Sequence, residues 1–62
     1  MFKKGDIVVK VLGARIGKNA TVTEDQRGEH VSIEYETGDP DYSPESFLRL
    51  VEPNLDYEMD EG

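Results

Sequence analysis

Three prolines, Pro40, Pro44 and Pro53, divide the last third of the chain so closely that no long helix fits there. One helical turn between two short strands does fit. Ser43-Pro44-Glu45-Ser46 carries the chemistry of a helix start. Ser43 is placed to cap the free amides, Pro44 suits the first helical position, and Glu45 complements the local dipole. Phe47 to Val51 then reads as a last short strand that Pro53 ends. A single turn set before a closing strand is the usual ending of a small five-stranded β-barrel, so the expectation is an all-β fold.

The upstream pattern agrees. Gly5-Asp6 opens Ile7-Val8-Val9-Lys10-Val11-Leu12, a run rich in β-branched residues. Ile7, Val9 and Val11 share one face and Val8, Lys10 and Leu12 the other, as expected for a bent first strand with both faces partly covered. Two glycines mark a loop over residues 13–18, and Asn19 to Asp25 reads as a second strand. Asp25-Gln26-Arg27-Gly28 fits a tight turn with Gly28 available for a positive φ. The cleanest alternation follows: Val31, Ile33 and Tyr35 point inward while His30, Ser32, Glu34 and Glu36 point to water. Thr37-Gly38-Asp39-Pro40 makes the next turn and leads into a short segment around Asp41-Tyr42. Tyr35 and Phe47 are expected in the core.

A chain of 62 residues is one small domain, and at this size it buries only about 60% of its unfolded surface. Without cysteine there is no disulfide and no cysteine-based zinc site, and one histidine precludes a histidine-rich metal site. The core must be apolar, and closing a sheet on itself removes edges with few residues. No apolar run approaches the roughly 18 residues of a membrane-spanning helix. Nor does a secretory leader follow Phe2-Lys3-Lys4, so the expected setting is cytoplasmic. The domain is expected over residues 1–53. Residues 54–62, with Leu55, Tyr57 and Met59 among acids, are expected to form a disordered acidic tail.

Charge is uneven as well as negative, with a formal net of −7. Residues 1–18 hold five cations and one acid, whereas residues 19–62 hold two cations and thirteen acids. Most of this surface repels a polyanion and suits a protein partner of basic character.

The order Gly5-Asp6-x-Val8, a glycine loop, Val22, Val31-x-Ile33-x-Tyr35 and Tyr42-x-Pro44-x-x-Phe47-Leu48-x-Leu50-Val51 resembles SH3-like barrels of the KOW and Mind-bomb type. It is similar to small bacterial and phage SH3-like reading frames. The resemblance spans residues 2–53 and implies an SH3-like barrel of five short strands with one helical turn before the last. A KOW-type motif carries glycine before the first buried valine of its second strand; Ala20 stands there, which counts against the RNA or ribosome role that type implies. Because such folds host unrelated functions, function rests on the site.

Catalysis is not expected: His30 lies on the wet face of its strand and no cysteine can serve as nucleophile. Asp39, Asp41 and Glu45 lack the spacing of a calcium loop, and residues 13–18 lack the pattern of a phosphate cradle. Neither cofactor nor metal is expected. The favoured expectation is a non-enzymatic interaction module docking on a protein through an acidic face of Glu34, Glu36, Asp39, Asp41, Tyr42 and Glu45. A phage-type accessory protein acting on a host protein would fit it. In this reading Tyr42 supplies packing and cation–π contact and the acids supply salt bridges. Two alternatives stand beside it: a KOW-like nucleic-acid binder using Lys3, Lys4, Lys10, Arg15 and Lys18, and an acidic DNA mimic. No membrane association is expected, and the chain would be a monomer or a weak homodimer paired through edge strands.

Overall fold

The computed structural model describes residues 1–53. The acidic tail expected over residues 54–62 lies outside the described residues. Five strands form one antiparallel sheet: β1 (Ile7–Lys10), β2 (Asn19–Val22), β3 (His30–Tyr35), β4 (Pro40–Pro44) and β5 (Leu48–Glu52). A 3-10 turn, Glu45–Phe47, precedes β5. The spatial order is β4-β3-β2-β1-β5, so the last strand returns to pair with the first.

Alternation along each strand builds the core. Val8 on β1, Ala20 and Val22 on β2, Val31, Ile33 and Tyr35 on β3, and Leu48 at the start of β5 are all buried together. These residues occupy one face of a single sheet, which must therefore curl over that face to exclude water. Phe2 packs against the same cluster from outside the strands. The β1–β5 ladder slips between Ile7 and Val8, whose partners are Glu52 and Leu50, leaving Val51 unopposed in a bulge. Bulges of this kind bend and twist the strand that carries them.

Several local expectations change. The second strand ends at Val22, earlier than Asp25, because the chain turns at Gln26 to meet the N-terminus. Gln26 Oε1 accepts from the Phe2 amide at 2.8 Å, and the Gln26 amide donates to the Phe2 carbonyl at 3.0 Å. Its side-chain amide also donates to the Gly28 carbonyl and to Glu45. One buried glutamine thus ties three segments together.

Ser43 does not cap the turn. It belongs to β4, is buried, and its hydroxyl donates to Asp41 Oδ2 at 3.3 Å. Pro44 occupies the cap position in an extended conformation, with no side-chain cap bond, and the Glu45 amide donates to the Glu29 carbonyl. Strand alternation decided this: with Val31 opposite Ser43, the serine faces the core. Phe47 falls in the 3-10 turn and not in the last strand, half-buried against Gly13. Gly13 has φ +82°, and a Cβ there would sit 2.9 Å from Phe47 Cε2. Only glycine suits both conditions.

Candidate functional site

β1 presents Val8 and Lys10 inward, so a lysine enters the core side of the sheet on an otherwise apolar face. Its side chain is only 5% exposed. Packing accommodates it because the aliphatic stem lies along apolar neighbours while the ammonium reaches two polar partners. Lys10 Nζ lies 3.2 Å from Asp41 Oδ2 and 3.3 Å from the Tyr35 hydroxyl. That hydroxyl in turn donates to Asp41 Oδ2 at 2.6 Å. Asp41 Oδ1 accepts from the Tyr42 amide at 2.7 Å.

Protonation follows from this geometry. The Tyr35 hydrogen bond, aided by the Tyr42 amide and Lys10, overcomes burial and holds the Asp41 carboxyl at about 2. Burial and the bond to Asp41 raise Tyr35 despite the opposing influence of Lys10. For Lys10, burial works to lower the value, but the bonds to Tyr35 and Asp41 and the aspartate charge outweigh it, so the net shift is upward. The network is a closed, fully ionised Lys–Asp pair bridged by a neutral tyrosine. Groups so satisfied are structural in chemistry, with no proton to give near neutral pH.

Outside this network two hollows open. The first, about 230 Å³, lies on the outer face of β3 and β4 and is lined by Glu24, Asp25, Arg27, His30, Ser32 and Tyr42. Ser32 pairs with Tyr42 across the ladder, and His30 is the diagonal neighbour. The His30 and Tyr42 rings stack with centroids 5.1 Å apart and planes at 24°. Tyr42 nevertheless remains 64% exposed. The sheet thus offers water a large aromatic surface backed by the His30 ring.

The second hollow, about 270 Å³, lies where the β1–β2 and β3–β4 connections meet, lined in part by Arg15, Tyr35, Glu36, Thr37 and Asp39. The Arg15 guanidinium carbon sits 4.9 Å from the Tyr35 ring centroid, and its Nη1 donates to Asp39 Oδ2 at 3.3 Å. Thr37 Oγ1 donates to the same oxygen at 3.1 Å. Arg15 also has φ +66° and is the only described non-glycine residue with a positive φ. That backbone costs an L residue roughly 1–2 kcal/mol. An exposed ion pair and a cation–π contact together return about as much.

The structure therefore divides the expected acidic face. Glu36 and Asp39 line the second hollow, whereas Tyr42 anchors the first. Glu34 is exposed on the outer face of β3, opposite Pro40. Asp41 and Tyr42 are consecutive on a strand, so they face opposite ways, and Asp41 is engaged with Lys10 and Tyr35. Glu45 is held by Gln26. The acids that line the Tyr42 hollow are thus Glu24 and Asp25, not Asp39, Asp41 and Glu45. Neither Glu24 and Asp25 nor the His30 stack could be read from strand patterning, because they meet Tyr42 across the sheet.

The five cations are separated as well. Lys10 is buried. Lys3 and Lys4 precede β1, where the Lys4 amide donates to Asp25, while Arg15 and Lys18 lie in the connection at its other end. Among the described residues no three histidine, cysteine or acidic side chains come together to hold a metal ion. No described helix is long and apolar enough to cross a membrane. Comparison with protein-family models, curated proteins and solved structures found no match for this chain.

Proposed function

We propose that this chain is a non-enzymatic interaction module that docks on a protein of basic character through the outer face of β3 and β4. One observation carries the reading: Tyr42 is 64% exposed and stacks on His30. An exposed tyrosine binds at little entropic cost because it has only two side-chain torsions to fix, and the stack on His30 favours one setting of them. Glu24 and Asp25 line the same hollow, and Glu34 extends the negative surface along β3. A lysine or arginine stem would lie on the Tyr42 ring with its charge between the carboxylates. Arg27 rims the same hollow and selects against an unbroken run of cations.

The SH3-like resemblance belongs to this reading, and five antiparallel strands with a turn before the last support it. A phage-type accessory protein working in the cytoplasm on a host protein is the setting it suggests. The test is an amide-shift titration of the full chain with a flexible peptide alternating lysine and glycine, beside a single-stranded oligonucleotide. Peptide-induced shifts at His30, Ser32 and Tyr42, lost in Tyr42→Ala, are the expected result. Oligonucleotide-induced shifts at Lys3, Lys4 or Lys18, with none from the peptide, would overturn the reading in favour of a nucleic-acid binder.

A further inference from the structure

We propose that the hollow beside Tyr35 is a guanidinium-recognition site, filled at rest by the chain's own Arg15 and entered by an arginine of the partner when Arg15 swings out. The inference shares with the docking reading only the basic character of the partner. It concerns a different surface, so each can fail without the other.

Arg15 is held from two sides. A planar cation lies over an aromatic ring, and a carboxylate takes one of its N–H groups. Both partners are prepared in advance. Tyr35 is locked by its hydroxyl bond to Asp41, and Asp39 is oriented by Thr37. Glu36 adds a second carboxylate to the rim, against the single ammonium of Lys18. Face, fork and charge together suit arginine better than lysine, whose ammonium neither stacks nor offers parallel N–H groups.

The occupant, by contrast, is poorly held. The Arg15 side chain is 47% exposed and Asp39 is 56% exposed, so water competes for their ion pair. Arg15 also occupies left-handed backbone that favours glycine, flanked by Gly13 at φ +82° and Gly17 at φ +89°. The loop's own amide bonds, from Gly17 to the Lys10 carbonyl and from Lys18 to the Arg15 carbonyl, hold that backbone, so the side chain can leave without rebuilding the loop. An exposed side chain closing a prepared pocket is a contact poised to open. A partner arginine whose own backbone is unstrained would replace Arg15 contact for contact.

The test uses the full chain with N-acetyl-arginine amide and N-acetyl-lysine amide as probes, followed by backbone amide shifts. Arg15→Gly suits the positive φ and removes the internal occupant, and Arg15→Asn serves as a second variant. Emptying the pocket is expected to tighten the arginine probe a few-fold relative to wild type, since self-occupancy reduces the competent fraction. The shifts should centre on Thr37, Gly38 and Asp39. Asp39→Asn in the Arg15→Gly background should abolish them, and the lysine probe should bind more weakly throughout. Equal arginine affinity in wild type and both Arg15 variants, equal affinity for the two probes, or no binding at this hollow would each overturn the proposal. Shifts confined to His30 and Tyr42 would overturn it while leaving the docking face standing.

Discussion

Lys10 and Asp41, thirty-one positions apart, meet at 3.2 Å inside one end of the sheet, where the Tyr35 hydroxyl binds both. The pair joins the first strand to an edge strand that never touches it in the ladder. Its asymmetry is informative: Lys10 is almost wholly buried, whereas the Asp41 side chain is 33% exposed.

Removing one partner should therefore hurt more on the acid side. Asp41→Asn leaves a buried ammonium without its counter-charge, and should lower unfolding free energy by about 2–3 kcal/mol, short of the ~3–5 of a fully buried pair. Lys10→Met keeps most of the stem volume and leaves Asp41 with the Tyr35, Ser43 and Tyr42 donors. Its expected cost is below about 1.5 kcal/mol. Urea midpoints of the two variants check the order. A Lys10→Met variant less stable than Asp41→Asn would mean that Asp41 depends on the ammonium more than Lys10 depends on the carboxylate.

The same network sets pH dependence at both extremes. The Asp41 carboxyl is depressed from the ordinary 3.8 to about 2. Its contribution is complete above the unfolded value and is lost as pH falls from 3.8 through about 2. Lys10 and Tyr35 are both raised, so their contributions are complete below the ordinary values of 10.5 and 10.0 and are lost as pH rises through the folded ones. Stability measured against pH should fall on both flanks in wild type. The acid-side fall should be smaller in Asp41→Asn.

Gly13→Ala meets two obstacles, a positive φ and the Phe47 ring 2.9 Å from the new methyl. It should destabilise by more than about 1 kcal/mol. Gly28→Ala has a similar φ with nothing within 4 Å, so it isolates the backbone component. The difference between their thermal midpoints reports the contact of the loop with Phe47.

Tyr42→Ala should separate binding from folding. With the ring mostly in water, its loss should change stability by about 0.5 kcal/mol or less, although the stack on His30 disappears. Binding of the alternating lysine–glycine peptide should nonetheless be lost. A large fall in stability would instead make Tyr42 a structural residue of the sheet edge.

Much of the architecture is local information, and the sequence by itself determined it. Alternation over Val31, Ile33 and Tyr35 fixes which face of β3 is buried, because successive side chains must point opposite ways. Turn residues place Gly28 at positive φ, and three prolines leave room for only one helical turn before the last strand. Pairs distant in sequence were decided by tertiary structure alone. Periodicity put Lys10 on the face of Val8 but could not say that Tyr35 and Asp41 wait there to receive its charge. Ser43 looked like a cap until its pairing opposite Val31 turned it inward. Arg15 looked like a free loop cation, and only the approach of the β3–β4 connection shows that it covers Tyr35. Short-range pattern limits each segment's conformation; which side chains then share charge or a ring face depends on strands brought together by a core that hydrophobic burial closes.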